Sequence, residues 1–234
     1  MTTLTLGLPS KGRLMEQAAE TLELAGLSLE RSGTERGYRG VLKGIEGVEV
    51  AFMSAGEIAQ SLRDGKIDLG ITGEDLLYEK SNPAENTISV LAPFDFGFAR
   101  VVAAVPECWL DVASMADLDE VSENFYVAHG RRLRVATKYP NLTRRFFSEK
   151  GVTGYRIVES LGATEGAPAA GTAEIIVDIT TTGSTLAANH LKVLDDGIIL
   201  NSRAVLAANR GILLDFRTIE IQRKFVKQDS GPND

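Results

Sequence analysis

Ile175-Ile-Val-Asp178-Ile-Thr-Thr-Thr-Gly183-Ser-Thr-Leu-Ala-Ala-Asn-His190 decides how this chain is read. The uninterrupted apolar run Ile175–Val177 has the character of a buried strand. It ends in an acid, passes through a turn at Gly183 and enters a segment with helical character. A strand handing over to a helix through a short turn is the building unit of α/β folds. The turn also carries chemistry. Of the six residues Thr180, Thr181, Thr182, Gly183, Ser184 and Thr185, five bear a hydroxyl and the other is glycine. Free backbone N–H groups and the dipole at a helix start favour an anion, and hydroxyls add donors without adding charge. A helix cap needs one such residue, so five point to a phosphate site. No Gly-Lys-Ser/Thr is present, which excludes a Walker A loop.

Strand and helix signals alternate on both sides of this stretch. Leu4, Leu6 and Leu8 alternate as in a strand, and Leu14, Ala18, Leu22 and Ala25 follow at helical spacing with Gly26 as a C-cap. Val48–Phe52 and Ile67–Thr72 read as strands around a short helix closed by Gly65. Strand-like runs recur at Val101–Val105, Leu133–Ala136, Ile157–Val158 and Ile175–Ile179, with a helix over Leu142–Lys150 and a last clear strand at Ile198–Leu200. The tail from about Lys227 reads as disordered. The alternation predicts an α/β fold of two lobes with mixed, largely parallel sheets. The Pro/Gly-punctuated Ala92–Phe98 serves as a crossing segment. Residues 1–92 with about 194–234 would form the first lobe and about 93–193 the second.

The chain has 234 residues, 44% of them hydrophobic and 24% charged, with net charge −7. That balance argues against a nucleic-acid or anionic-membrane binder, so an anionic ligand needs a local basic patch. A single cysteine, Cys108, cannot form an internal disulfide; beside Trp109 it reads as a packed thiol, and Trp109 as core. Strand-like alternation begins at the first residues, with no signal-peptide pattern, and no run approaches the ~20 apolar residues of a transmembrane helix. A cytoplasmic protein is expected.

Pro9-Ser-Lys11-Gly-Arg13 places two cations where the first strand opens into the first helix. There they oppose the helix dipole. Two readings stand: cations that grip an anionic ligand, and solvated surface charges. Arg36-Gly-Tyr-Arg39 adds positive charge in a loop. Arg131, Arg132 and Arg134 precede a strand and read as solvent-facing at its edge. His129 and His190 have no Cys or carboxylate at ligand spacing, which argues against a structural zinc site.

Taken together, Leu8-Pro-Ser-Lys-Gly-Arg13, Asp68–Asp75, Phe96-Gly-Phe-Ala-Arg100, Arg134-Val-Ala-Thr-Lys-Tyr-Pro-Asn-Leu-Thr-Arg144 and Asp178–Asn189 resemble one family, ATP phosphoribosyltransferase, in the family's order and over nearly the whole chain. The resemblance implies two α/β lobes like type II periplasmic binding proteins with the active site in the interlobe cleft. It implies transfer of the phosphoribosyl group of 5-phosphoribosyl pyrophosphate (PRPP) to N1 of the ATP adenine, with release of pyrophosphate, as the first step of histidine biosynthesis. Mg²⁺ is the implied cofactor, held mainly by substrate phosphates. By position, Asp178 through Thr185 correspond to the family's PRPP loop, and Glu165 resembles an acid that reaches the PRPP ribose with Asp178. Lys11, Arg13 and one arginine of the Arg36–Arg39 loop, taken as Arg36, resemble the catalytic cations.

Many relatives carry an arginine where this chain has Ser54. Too few residues follow Leu200 for another domain of ~50 residues or more, so the chain resembles the family's short form. That form implies a homodimer working with a regulatory subunit similar to histidyl-tRNA synthetase. A rival from another class is a two-lobed solute-binding module, and a second is a phosphoribosyltransferase acting on another base.

Overall fold

The computed structural model describes residues 3–31, 38–81, 87–160 and 162–229. The chain divides into two compact units, Met1–Gly97 with Arg203–Asp234, and Phe98–Ser202. The crossings thus fall at 97/98 and 202/203 rather than at 92/93 and 193/194.

In chain order the first unit supplies β1 (Leu4–Pro9), α1 (Arg13–Leu24), β2 (Ser28–Arg31), β3 (Arg39–Lys43), β4 (Val48–Met53), α2 (Ala55–Arg63), β5 (Leu69–Gly73), α3 (Glu74–Lys80) and β6 (Ile88–Pro93). The second unit supplies β7 (Ala99–Pro106), α4 (Met115–His129), β8 (Leu133–Thr137), α5 (Pro140–Glu149), β9 (Tyr155–Glu159), a 3₁₀ turn at Thr164–Gly166, β10 (Ile175–Thr180), α6 (Ser184–Ala188) and β11 (Leu191–Ser202). The chain then returns to the first unit as β12 (Ala204–Asn209) and α7 (Phe216–Asp229).

The first sheet has the order β2-β3-β4-β1-β5-β12-β6. Its centre is parallel, with β1 paired to β4 and β5, while β12 runs antiparallel to both β5 and β6. Leu6 and Leu8 of β1, Leu22 of α1 and Ile221 of α7 are each fully buried in one core cluster. The second sheet has the order β11-β7-β10-β8-β9. There β10, β8 and β9 are mutually parallel, and β7 is antiparallel to β10 and β11. Val102, Ala104, Ala136, Ile176 and Leu186 form a core beneath β10 and α6. Both sheets are therefore mixed, each combining parallel and antiparallel neighbours.

Several local expectations need correction. Ile198–Leu200 is not the last strand: it belongs to the longer β11, and β12 follows. The run Ala204-Val-Leu-Ala-Ala-Asn209 is buried on both faces, so it lacks alternation, and its alanines carry little strand propensity. Lys227–Asp229 is helical, as the end of α7. Cys108 is exposed rather than packed, and Trp109 is half-buried rather than core. Ser54 caps α2: its hydroxyl accepts from the Glu57 N–H at 3.3 Å, and the Glu57 carboxylate accepts from the Ser54 N–H at 2.8 Å. This reciprocal pair satisfies two donors that a helix start otherwise leaves open. Among the described residues no helix is long and apolar enough to cross a membrane.

Candidate functional site

Strand β10 delivers Asp178 and Thr180 to the turn on one sheet face, since residues two apart share a face. Both are buried, at 8% and 9% exposure. Thr181, Thr182, Ser184 and Thr185 are exposed, and Gly183 is partly so. The loop is held by its own hydroxyls. Thr180 Oγ1 accepts from the Gly183 N–H at 2.9 Å, Thr182 Oγ1 lies 2.8 Å from Ser184 Oγ, and the Asn189 amide donates to the Thr185 carbonyl at 2.9 Å. Gly183 caps α6 in the left-handed region, at φ 79° and ψ −3°. Glycine reaches that conformation without the cost other residues meet.

Helix α6 has only five residues. The dipole expected from the sequence is correspondingly small, since it grows from aligned peptide units. The donors that the turn offers are its hydroxyls and the first-turn N–H groups, which have no carbonyl four residues earlier to bond.

Asp178 lies at the focus of the second unit's polar groups. Burial pushes its carboxyl above the usual range, and the Glu165 charge pushes the same way. The Ile179 N–H, the Lys138 cation and a side-chain hydrogen bond with Thr164 pull it down without reversing the rise. The structure therefore brings Glu165, in the Thr164–Gly166 turn, close enough to Asp178 for their charges to interact. Lys138 and Thr164 are site residues that reading the sequence missed. Lys138 follows the carboxyl end of β8, which is parallel to β10, so both strand ends open on the same rim of the sheet. Its position one residue after a strand was the available signal. Arg100, opposite Thr180 in the antiparallel register, is the other addition: paired residues share a sheet face, so its exposed side chain stands on the Asp178–Thr180 face.

The basic corner belongs to the first unit. Gly12, the N-cap of α1, has φ 79° and ψ −178°, a conformation almost restricted to glycine. It lies between exposed Lys11 and Arg13, the first helical residue. Arg13 makes no ion pair among the described residues. Arg36 lies outside the described residues. Arg39 is exposed on β3 and pairs with Glu49 at 3.3 Å. Below the Asp178 rim, Glu174 accepts from the Arg134 guanidinium at 2.7 Å, the Arg134 N–H at 2.7 Å and Arg131 at 3.0 Å. Burial raises this carboxyl, but the hydrogen bonds outweigh it and hold it at about 2. Arg131 and Arg134 are thus not simply solvent-facing.

One α/β unit carries a hydroxyl-lined turn with an acidic pair and the other a basic helix start, chemistry of the kind that suits phosphorylated ligands. Residues 54–226 match the family described as HisG, ATP phosphoribosyltransferase, and the chain belongs to that family. An ATP phosphoribosyltransferase of Mesorhizobium japonicum is 59% identical over 88% of this chain and 90% of its own length. Two other curated relatives are longer, and the chain spans 63% and 64% of their length. Among solved structures, the ATP phosphoribosyl transferase (HisG:HisZ) complex from Thermotoga maritima matches with TM-score 0.73 and 27% identity, over 96% of this chain and 98% of that one. A histidine kinase sensor domain with similarity to periplasmic binding proteins shares the fold, with TM-score 0.57 at 14% identity over 97% of this chain and 90% of that one.

Proposed function

We propose that the chain transfers the phosphoribosyl group of PRPP to N1 of the adenine of ATP, releasing pyrophosphate, the first step of histidine biosynthesis. The observation that carries this reading is the placement of buried Asp178, beside Glu165, at the mouth of the hydroxyl-lined turn in a chain of this family. The loop from Thr180 to Thr185 holds the PRPP phosphate through hydroxyls and N–H groups, and Asp178 and Glu165 accept from the ribose hydroxyls. The N1 lone pair forms the new bond to ribose C1 while the electron pair of the C1–oxygen bond leaves with pyrophosphate. Positive charge grows on the ribose, where two carboxylates favour it. Negative charge grows on the leaving group, where Lys11, Arg13 and Arg36 are proposed to act. No side-chain nucleophile is required.

Among the described residues no cluster of three or more His, Cys, Asp or Glu could hold a metal ion. Asp178 and Glu165 are the carboxylates available to a Mg²⁺ carried on substrate phosphates. When bound, Mg²⁺ neutralises the departing pyrophosphate.

The Thermotoga protein is a HisG:HisZ complex. That pairing supports a regulatory subunit for this chain, which we propose resembles histidyl-tRNA synthetase, around a homodimer in the cytoplasm. The test is incubation with PRPP, Mg²⁺ and a panel of bases and nucleotides, read by mass spectrometry. ATP enlarged by one ribosyl phosphate, with stoichiometric pyrophosphate, is expected. Turnover on another base alone, or tight PRPP binding with no transfer even in the presence of the regulatory subunit, overturns the reading. Histidine should inhibit only when the regulatory subunit is present, because an effector acts only by binding two states of an assembly unequally.

A further inference from the structure

Strand β9 is the outer edge of the second sheet. A pocket of about 520 Å³ runs along it beside α5. Three guanidiniums line it, those of Arg132, Arg144 and Arg156, with the hydroxyls of Ser148, Thr153 and Tyr155, and among the described residues no carboxylate lines it. None of these arginines makes an ion pair among the described residues; Arg144 only donates to the Asn141 side chain, at 3.3 Å. Their neighbours behave differently, since Arg131 and Arg134 both bond to Glu174. Three like charges around one concavity repel, and in a chain of net charge −7 their convergence is against the general balance.

Every polar side chain at the rim is a donor. Burial raises the Tyr155 phenol above its ordinary range, partly offset by the Arg144 charge, so it stays protonated. Guanidinium forks match phosphate oxygens in bidentate geometry, and the volume falls within the ~300–1,000 Å³ typical of small-ligand sites.

We propose that this pocket is a second anion site, separate from the Thr180–Thr185 loop, that binds a small phosphorylated molecule through Arg132, Arg144 and Arg156. The site does not depend on the transferase reading, since its residues lie outside the loop and the basic corner.

The test is titration of inorganic pyrophosphate into the isotopically labelled protein at physiological chloride, followed by amide NMR. Signals from residues 152–157 report the pocket, and those from 180–185 report the loop. Saturable shifts are expected at both places in the wild type. In Arg144→Ala/Arg156→Ala the pocket's affinity should fall about tenfold or more, with the loop response and the turnover on PRPP and ATP retained. Absence of saturation at 152–157, or an unchanged response there in the double variant, overturns the proposal. So does loss of turnover in that variant. Binding of a short polyglutamate peptide without binding of pyrophosphate overturns it too, marking the pocket as a docking place for an acidic segment.

Discussion

Gly183 offers the sharpest test of the loop. Its φ of 79° lies where a Cβ crowds the following carbonyl, yet a Cβ built at this position meets nothing within 4 Å. Replacement therefore costs backbone strain alone, about 1–2 kcal/mol for alanine, because no neighbour has to move. The loop recovers that energy by turning Gly183 out of the left-handed region. Doing so breaks the N–H bond to Thr180 and displaces the Ser184 and Thr185 donors. Gly183→Ala is expected to weaken PRPP binding about 5- to 30-fold. Gly183→Val, β-branched, should lose more. Gly183→Asn should recover much of the loss, since asparagine tolerates this region. Calorimetric titration with PRPP measures the three affinities, and fluorescence of Trp109, in the same unit, checks that the unit stays folded. Equal affinities for Ala and Asn, or an Ala variant that binds like the wild type, would refute the argument from loop conformation.

Asp178→Asn should reduce PRPP affinity and turnover at least about tenfold while leaving the melting temperature equal or higher, because burial disfavours the charge it removes. Since the carboxyl is raised, the wild-type activity should fall on the acid side at a pH above the ordinary aspartate range, and a pH–rate profile shows whether it does. Arg13→Ala, at an exposed position without an ion pair among the described residues, should lower kcat strongly with little change in melting temperature; the opposite pattern marks a structural residue. Glu174→Gln should cost about 3 kcal/mol at neutral pH, from a carboxyl moved from 4.5 to about 2. Its pKa is depressed on folding, so the contribution is present above the unfolded value and is lost as pH falls from about 5 toward 2. Urea unfolding followed at Trp109 should show the two proteins converge at the acid end.

The loop was legible because its chemistry is contiguous: a buried strand, an acid, hydroxyls and a glycine fall in one short run. The same holds for Lys11-Gly-Arg13. Thr164 and Lys138 were harder to single out because what joins them to Asp178 is tertiary: a turn folded back beside β10 brings Thr164, and the β8–β10 register brings Lys138, whose place after a strand does not by itself name its neighbour. Helix α4 escaped because its buried face includes Ser122, fully buried, with its hydroxyl bonded to the Asp119 carbonyl at 2.8 Å. Gly154 lies against it, with no room for a side chain. That polar residue interrupts the apolar stripe on which a helix is recognised. The dipole at α6 was overestimated because the length of a helix after a glycine turn depends on where β11 begins.

The return of β12 to the first sheet sets an order of assembly during synthesis. A ribosome releases Phe98–Ser202 as one uninterrupted stretch, so the lobe encoded second can close while translation continues. The lobe encoded first cannot, because β6 has no neighbour until Ala204–Asn209 emerges and fills the gap beside β5. The nascent amino-terminal strands must wait, with β5 exposing an unpaired edge, through more than half of the message. A premature stop codon just after Ser202 would therefore spare the later-encoded lobe and cripple the earlier one.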